Sequence, residues 1–106
     1  MASFDEYDSI TAICNNITDI LLPWIEVLFK NKNVTYINLV RVNSYNFELY
    51  SSESDRIVFS TKSNSALIPI FENSNIANAM FRELEFKYGL DAKMEGECDI
   101  KIQRFK

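Results

Sequence analysis

Histidine is absent from this chain of 106 residues, and glycine, proline and cysteine occur twice each. Each shortage excludes a kind of chemistry. Without imidazole there is no Ser–His or Cys–His pair and no histidine-bearing zinc site. Two glycines leave no room for most Gly-rich loops, in which successive backbone N–H groups converge on a phosphate. Cys14 and Cys98 stand far apart and form no CxxC pair, which points to reduced thiols rather than a disulfide framework. The first residues are acidic (Asp5, Glu6, Asp8), where a secretory signal would be basic. The apolar run from Ile20 to Phe29 is about half of the ~20 residues a membrane helix needs, and it contains Pro23 and Glu26. A cytoplasmic chain that does not enter a membrane is expected.

What is present is an ordinary globular composition. Hydrophobic residues make up 47% and charged residues 25%, with 15 Asp and Glu against 11 Lys and Arg for a net charge of −4. Such values exclude intrinsic disorder, and the length fits a single domain over residues 1–106. Eight Phe, five Tyr and one Trp supply more bulky apolar surface than one small core readily hides, which favours a protein partner or a homodimer. Ile, Asn, Phe, Lys and Tyr are abundant while Gly, Ala, Arg and Pro are scarce. That is the bias of AT-rich codons, expected of an AT-rich bacterial, phage or viral genome.

Tyr7, Ile10, Cys14, Ile17, Leu21, Trp24 and Leu28 recur at spacings of three and four, widened by Ile13, Ile20 and Ile25, and predict a long N-terminal helix. Ser3 with Glu6 makes a capping box at its start. Pro23 lacks an N–H and crowds the carbonyl of Asp19, yet the stripe stays in phase through it. One helix kinked near Pro23 is expected, with two helices as the alternative. Val34 to Val42 is a β-branched and aromatic run with apolar residues on both parities, which predicts a central strand. Phe47 and Leu49 alternate with Asn46, Glu48 and Tyr50 in a second strand, and Arg56 to Thr61 form a third. Ala66 to Ile70 reads as a short extended piece marked by Pro69. Ile76, Ala77, Met80, Phe81, Leu84 and Tyr88 stripe a second helix over 74–88, capped by Asn73 or Ser74 and closed by Gly89. Cys98, Ile100 and Ile102 alternate in a last strand after a turn at Glu95-Gly96. The order α-β-β-β-(β)-α-β predicts an α+β fold, an antiparallel sheet of four to five strands with both helices packed on one face.

Glu95, Glu97 and Asp99 share one parity, so an extended strand would line three carboxylates along one face. Residues two apart on a strand lie ~7 Å apart, too wide for one Ca²⁺ or Mg²⁺ without further ligands. A solvated edge that repels stray strands is the better reading. Cys14 falls on the apolar stripe and reads as a buried, inert thiol. Cys98, between Glu97 and Asp99, is poorly placed to form a thiolate. The tract from Ser60 to Ser65 has hydroxyls and Lys62 but no glycine, and reads as a turn. Lys93, Lys101, Arg104 and Lys106 form a small basic group interleaved with acids, too little for a nucleic-acid footprint. Tyr45, Tyr50 and Phe86 fit no core stripe. Tyr is enriched at binding hot spots, so these three, with Glu95, Glu97 and Asp99, are the candidate partner-binding residues. No catalytic, cofactor-binding or metal-binding residue is assigned.

The expected function is that of a small acidic protein-protein interaction module, a non-catalytic inhibitor or regulator. In physical type, though through no shared motif, it resembles toxin-immunity proteins, phage-encoded inhibitors of host defence and secretion chaperones. Its acidic groups would steer it toward a partner with a basic surface. Neither nucleic acid, nor a membrane, nor a cofactor is expected to take part. The alternatives are a structural or assembly subunit of a larger complex, and a small carboxylate-based enzyme or ligand-binding domain.

Overall fold

The computed structural model describes the backbone of residues 2–104 and the side chains from Ser9 onward. The side chains of Ser3, Glu6 and Tyr7, expected to open the first helix, and those of Phe105 and Lys106 lie outside the described residues.

Helix α1 runs from Ala2 to Phe29 with Pro23 inside it. The helix is not divided there, because the apolar stripe is buried on both sides of the proline. Cys14, Ile17 and Leu21 before it, and Ile25 and Leu28 after it, belong to one core. Pro23 forfeits one backbone hydrogen bond, and the burial of Ile25 and Leu28 outweighs that loss. Thr18 lies on the inner side of the same helix. Its hydroxyl donates to the carbonyls of Cys14 at 2.9 Å and Asn15 at 3.1 Å, so a polar group is satisfied within the core.

Three strands follow, β1 (Tyr36–Arg41), β2 (Asn46–Ser51) and β3 (Arg56–Ser60). A 3₁₀ turn at Ser65–Leu67 leads into α2 (Ile68–Glu72) and α3 (Ser74–Tyr88), and then β4 (Leu90–Gly96) and β5 (Asp99–Arg104) complete the chain. The five strands form one antiparallel sheet in the order β3-β2-β1-β5-β4. The fold is α+β, as expected.

Two elements differ from expectation. Ala66 to Ile70 is helical rather than extended, and it is not the fifth strand. Pro69 sits in the first turn of α2, where a missing N–H is harmless, while Leu67 and Ile70 are buried. The fifth strand is Leu90–Gly96, in which only Leu90 and Ala92 are buried; Lys93, Glu95 and the partly buried Asp91 disguise the alternation.

Helix α3 has both expected ends. The Asn73 side chain accepts from the N–H of Asn75 at 2.9 Å and of Ile76 at 3.4 Å. Gly89 closes the helix at φ +62°, with its N–H bonded back to Glu85, and Leu90 turns directly into β4.

The core occupies one face of the sheet. Ile37, Leu39, Phe47, Leu49, Ile100 and Ile102 are fully buried there, together with Leu67, Ile70, Met80 and Leu84 from the helical layer. Phe47 lies between Phe71, with ring centroids 6.0 Å apart, and Phe59, at 5.7 Å. Among the described residues no helix covers the opposite face.

A methyl group at Gly89 would meet nothing within 4 Å, so a substitution there tests backbone conformation alone. Gly89→Ala is expected to lower the unfolding free energy by about 1–2 kcal/mol in urea melts. Gly89→Asn should lose less, because Asn tolerates the left-handed region. Equal losses, or none, would contradict the role of Gly89 in turning α3 into β4.

Candidate functional site

Strand register decides which side chains share the uncovered face. One row crosses all five strands: Lys93 on β4, Lys101 on β5, Asn38 on β1, Tyr50 on β2 and Arg56 on β3. The next row holds Asp99, Val40, Glu48 and Val58. On the other side of the first, Tyr36 lies beside Gln103 and Asp91. The face therefore carries a basic and aromatic row next to an acidic and aliphatic one.

Contacts between the rows fix these side chains. The Asn38 amide donates to Asp99 Oδ1 at 2.7 Å, and Asn38 is only 7% exposed although no helix among the described residues lies above it. Arg56 Nε lies 3.0 Å from Glu48 Oε1. The Lys101 ammonium sits 4.8 Å from the centre of the Tyr36 ring, a cation–π contact. Tyr50 lies among these groups. Burial, then the negative charge of Asp99, then Tyr36 and Glu48, hold its phenol above the ordinary value of about 10, with Arg56 pulling the other way. Tyr50 is thus a neutral hydroxyl near neutral pH, able both to donate and to accept.

Of the six residues expected from the sequence, the structure places Tyr50 and Asp99 on this face. Tyr45, Glu95 and Glu97 lie at one end of the same sheet. Asn43 Oδ1 accepts from the N–H of Tyr45 at 2.7 Å and of Asn46 at 3.0 Å, which shapes the β1–β2 turn and leaves Tyr45 76% exposed. The Arg41 N–H donates to the Cys98 carbonyl at 3.0 Å, so Glu97 in the β4–β5 turn and Glu95 at the adjoining end of β4 stand at the same end. The three carboxylates do not line one strand. The register shifts between Met94 and Gly96, and only Asp99 remains in the ladder on the open face. Phe86, 84% exposed, is not brought there: it belongs to α3, in the helical layer.

Sequence reasoning missed Tyr36, Asn38, Glu48, Arg56, Val58 and Lys101. A signal existed. Asn38 interrupts the otherwise apolar parity of Tyr36 and Val40, and a buried central strand would not place an amide there without a partner.

The thiols and the basic group are also located. Cys14 is buried, and burial followed by the nearby Glu83 carboxylate push its thiol up, away from the reactive thiolate; Cys98 is exposed in the β4–β5 turn. The basic group divides. Lys93 and Lys101 are neighbours on the open face, whereas Arg104 lies over the Phe29 ring and donates to the Phe29 carbonyl. On the helical side, a cleft of about 500 Å³ opens between α1 and α3, lined by Ile10, Cys14, Ala79, Arg82 and Phe86, with Glu83 and Lys87 paired at 2.8 Å. On length and composition alone, Ser9–Phe29 of α1 could cross a membrane, a test that core helices of soluble proteins also pass. Its buried stripe is part of the core described above.

No family model, curated protein or solved structure matches the chain.

The Tyr50 phenol supplies a test of this geometry. As pH rises past the ordinary tyrosine range, the unfolded chain releases this proton first and gains relative to the folded one. The stability linked to Tyr50 is therefore whole below about pH 10 and falls as pH climbs toward the raised value. Tyr50→Phe should remove a component of the ultraviolet phenol titration that lies above the ordinary tyrosine range, and flatten part of the alkaline loss of stability. An unchanged late component would show that Tyr50 is not enclosed by these acids.

Proposed function

We propose that this chain is a small, non-catalytic cytoplasmic protein-binding module, an inhibitor or regulator that lays the uncovered face of its sheet on a protein partner. The observation that carries this reading is the row from Lys93 to Arg56 with Tyr50 inside it, flanked by Asp99 and Glu48. These side chains are held in place before any partner arrives. Asn38 is tied to Asp99, Arg56 to Glu48, and Lys101 lies over Tyr36. Binding then orders few new rotamers, which lowers the entropic cost of association. Tyr50 supplies apolar area and a hydroxyl together, the combination that makes tyrosine effective at interface centres. Adjacent rows of opposite sign match one orientation of a complementary partner and oppose the others.

The charge balance supports a partner with a basic surface. Glu95 and Glu97 project at the sheet end beside Asp99, and the chain is acidic overall. Inhibition, immunity and chaperoning can all be exerted by contact alone, so the face requires no chemistry beyond hydrogen bonds, ion pairs and stacking.

The test captures partners from the source organism with immobilised chain and then titrates the captured protein by calorimetry. Tyr50→Ala should weaken binding at least about tenfold, a loss of ~1.4 kcal/mol. Phe86→Ala should change it less than about twofold, in keeping with surface substitutions away from the contact. Glu95→Lys with Glu97→Lys should slow association and flatten its salt dependence. Full affinity in Tyr50→Ala with loss in Phe86→Ala would contradict the assignment.

A further inference from the structure

The two edges of the sheet are not equivalent. At the β4 edge, α3 runs directly into the strand, Asp91, Lys93 and Glu95 punctuate it, and the register breaks near Gly96. These are the devices that prevent strand pairing. The β3 edge has none of them: it contains no proline and no bulge, and its one charge, Arg56, is paired with Glu48 on the neighbouring strand. No residue of β3 is fully buried. Ile57 and Phe59 are half-covered at the rim of the core, and Val58 is 55% exposed on the open face.

The hydrogen bonds show which backbone groups are unused. Ser51 N–H donates to the Asp55 carbonyl, and Thr61 N–H donates to the Tyr45 carbonyl. Backbone groups alternate sides along an antiparallel strand, so Ile57 and Phe59 face β2, while Arg56, Val58 and Ser60 face outward. Among the described residues, the Ser60 carbonyl has an outside partner, the Asn64 amide at 2.8 Å, and the other five outward groups have none.

We infer that β3 is a self-pairing edge. Two copies of the chain join β3 to β3, antiparallel, about a twofold axis through Val58, and make one continuous sheet. The register centred on Val58 is the symmetric one that pairs all three outward-facing residues. It sets Val58 against Val58 of the second copy, and Arg56 against Ser60 of the second copy on both sides of the axis. Side chains agree with it. Valine meets valine on the open face, and Ile57 lies beside Phe59 of the second copy on the core face, where each rim is incomplete.

Charge selects a second copy as the occupant. Glu53 and Asp55 precede β3, and Lys62 follows it. Antiparallel self-pairing brings the Lys62 of each copy alongside the acidic turn of the other, twice. A register centred on Arg56 would instead oppose two guanidinium groups. The pairing leaves the uncovered faces of both copies on the same side, so it does not rest on the partner-binding reading above. The interface is small, below the ~1,200 Å² of stable complexes, and the dimer dissociates on dilution.

Sedimentation equilibrium from about 10 to 500 μM, the range where so small an interface responds to concentration, tests this directly. Val58 is exposed and its N–H points outward, so neither Val58→Lys nor Val58→Pro removes a hydrogen bond within the chain. The native chain should pass from 12.3 kDa toward twice that mass as concentration rises. Both variants should remain at the monomer mass with an unchanged far-ultraviolet circular dichroism spectrum. Lys62→Glu, which keeps the strand intact, should weaken the dimer at least tenfold. A native chain that stays monomeric throughout, or a dimer that persists in both Val58 variants, would overturn the inference.

Discussion

The apolar stripe of α1 meets the sheet on one face only, and most of the molecule follows from that. Ile17, Leu21 and Ile25 share a core with Ile37, Leu39, Leu49, Ile100 and Ile102, and α3 adds Met80 and Leu84 to it. Hydrophobic burial is roughly proportional to area, so a chain this short concentrates its apolar residues in a single layer. The other face of the sheet is left to side chains that must satisfy one another. Asn38 and Asp99, Arg56 and Glu48, Lys101 and Tyr36 do so. One-sided burial therefore produces a firm scaffold and, on its reverse, a flat surface of fixed polar and aromatic groups.

Much of the scaffold was legible in the sequence, because periodicity reports burial. Helix α3 was bounded by Asn73 and Gly89, residues whose physical roles are local. The buried alternation of β2 and β5 was equally plain. Where the reading failed, burial and local signal parted. From sequence, Pro69 in Ala66 to Ile70 fits the edge or end of a strand, but proline fits the first turn of a helix as well. Strand β4 was hidden because only Leu90 and Ala92 of its seven residues are buried.

The surface was less legible. Tyr50 and Asp99 drew notice as an unplaced aromatic and one of a run of acids, but nothing local says that they lie on one face. That depends on β5 inserting between β1 and β4, a contact between residues some 60 apart in sequence, as in the Asn38–Asp99 bond. The expected line of three carboxylates failed for the same reason. A register shift at Met94–Gly96 takes Glu95 out of the regular pairing, Glu97 falls in the turn, and Asp99 alone of the three stays in the ladder. Phe86 fits no core stripe and is indeed exposed, but it stands on the helical layer.

Face and edge offer different kinds of contact. The face presents side chains of both signs around Tyr50; the β3 edge presents backbone. On the reading proposed above, the uncovered sheet is the surface through which the chain meets a partner. Hydroxyl-radical footprinting of the chain, alone and bound to its captured partner, measures this most directly. The account predicts that Tyr36 and Tyr50 lose reactivity on binding while Trp24 and Phe86 keep it. Protection of Trp24 or Phe86 with Tyr36 and Tyr50 unchanged would contradict it.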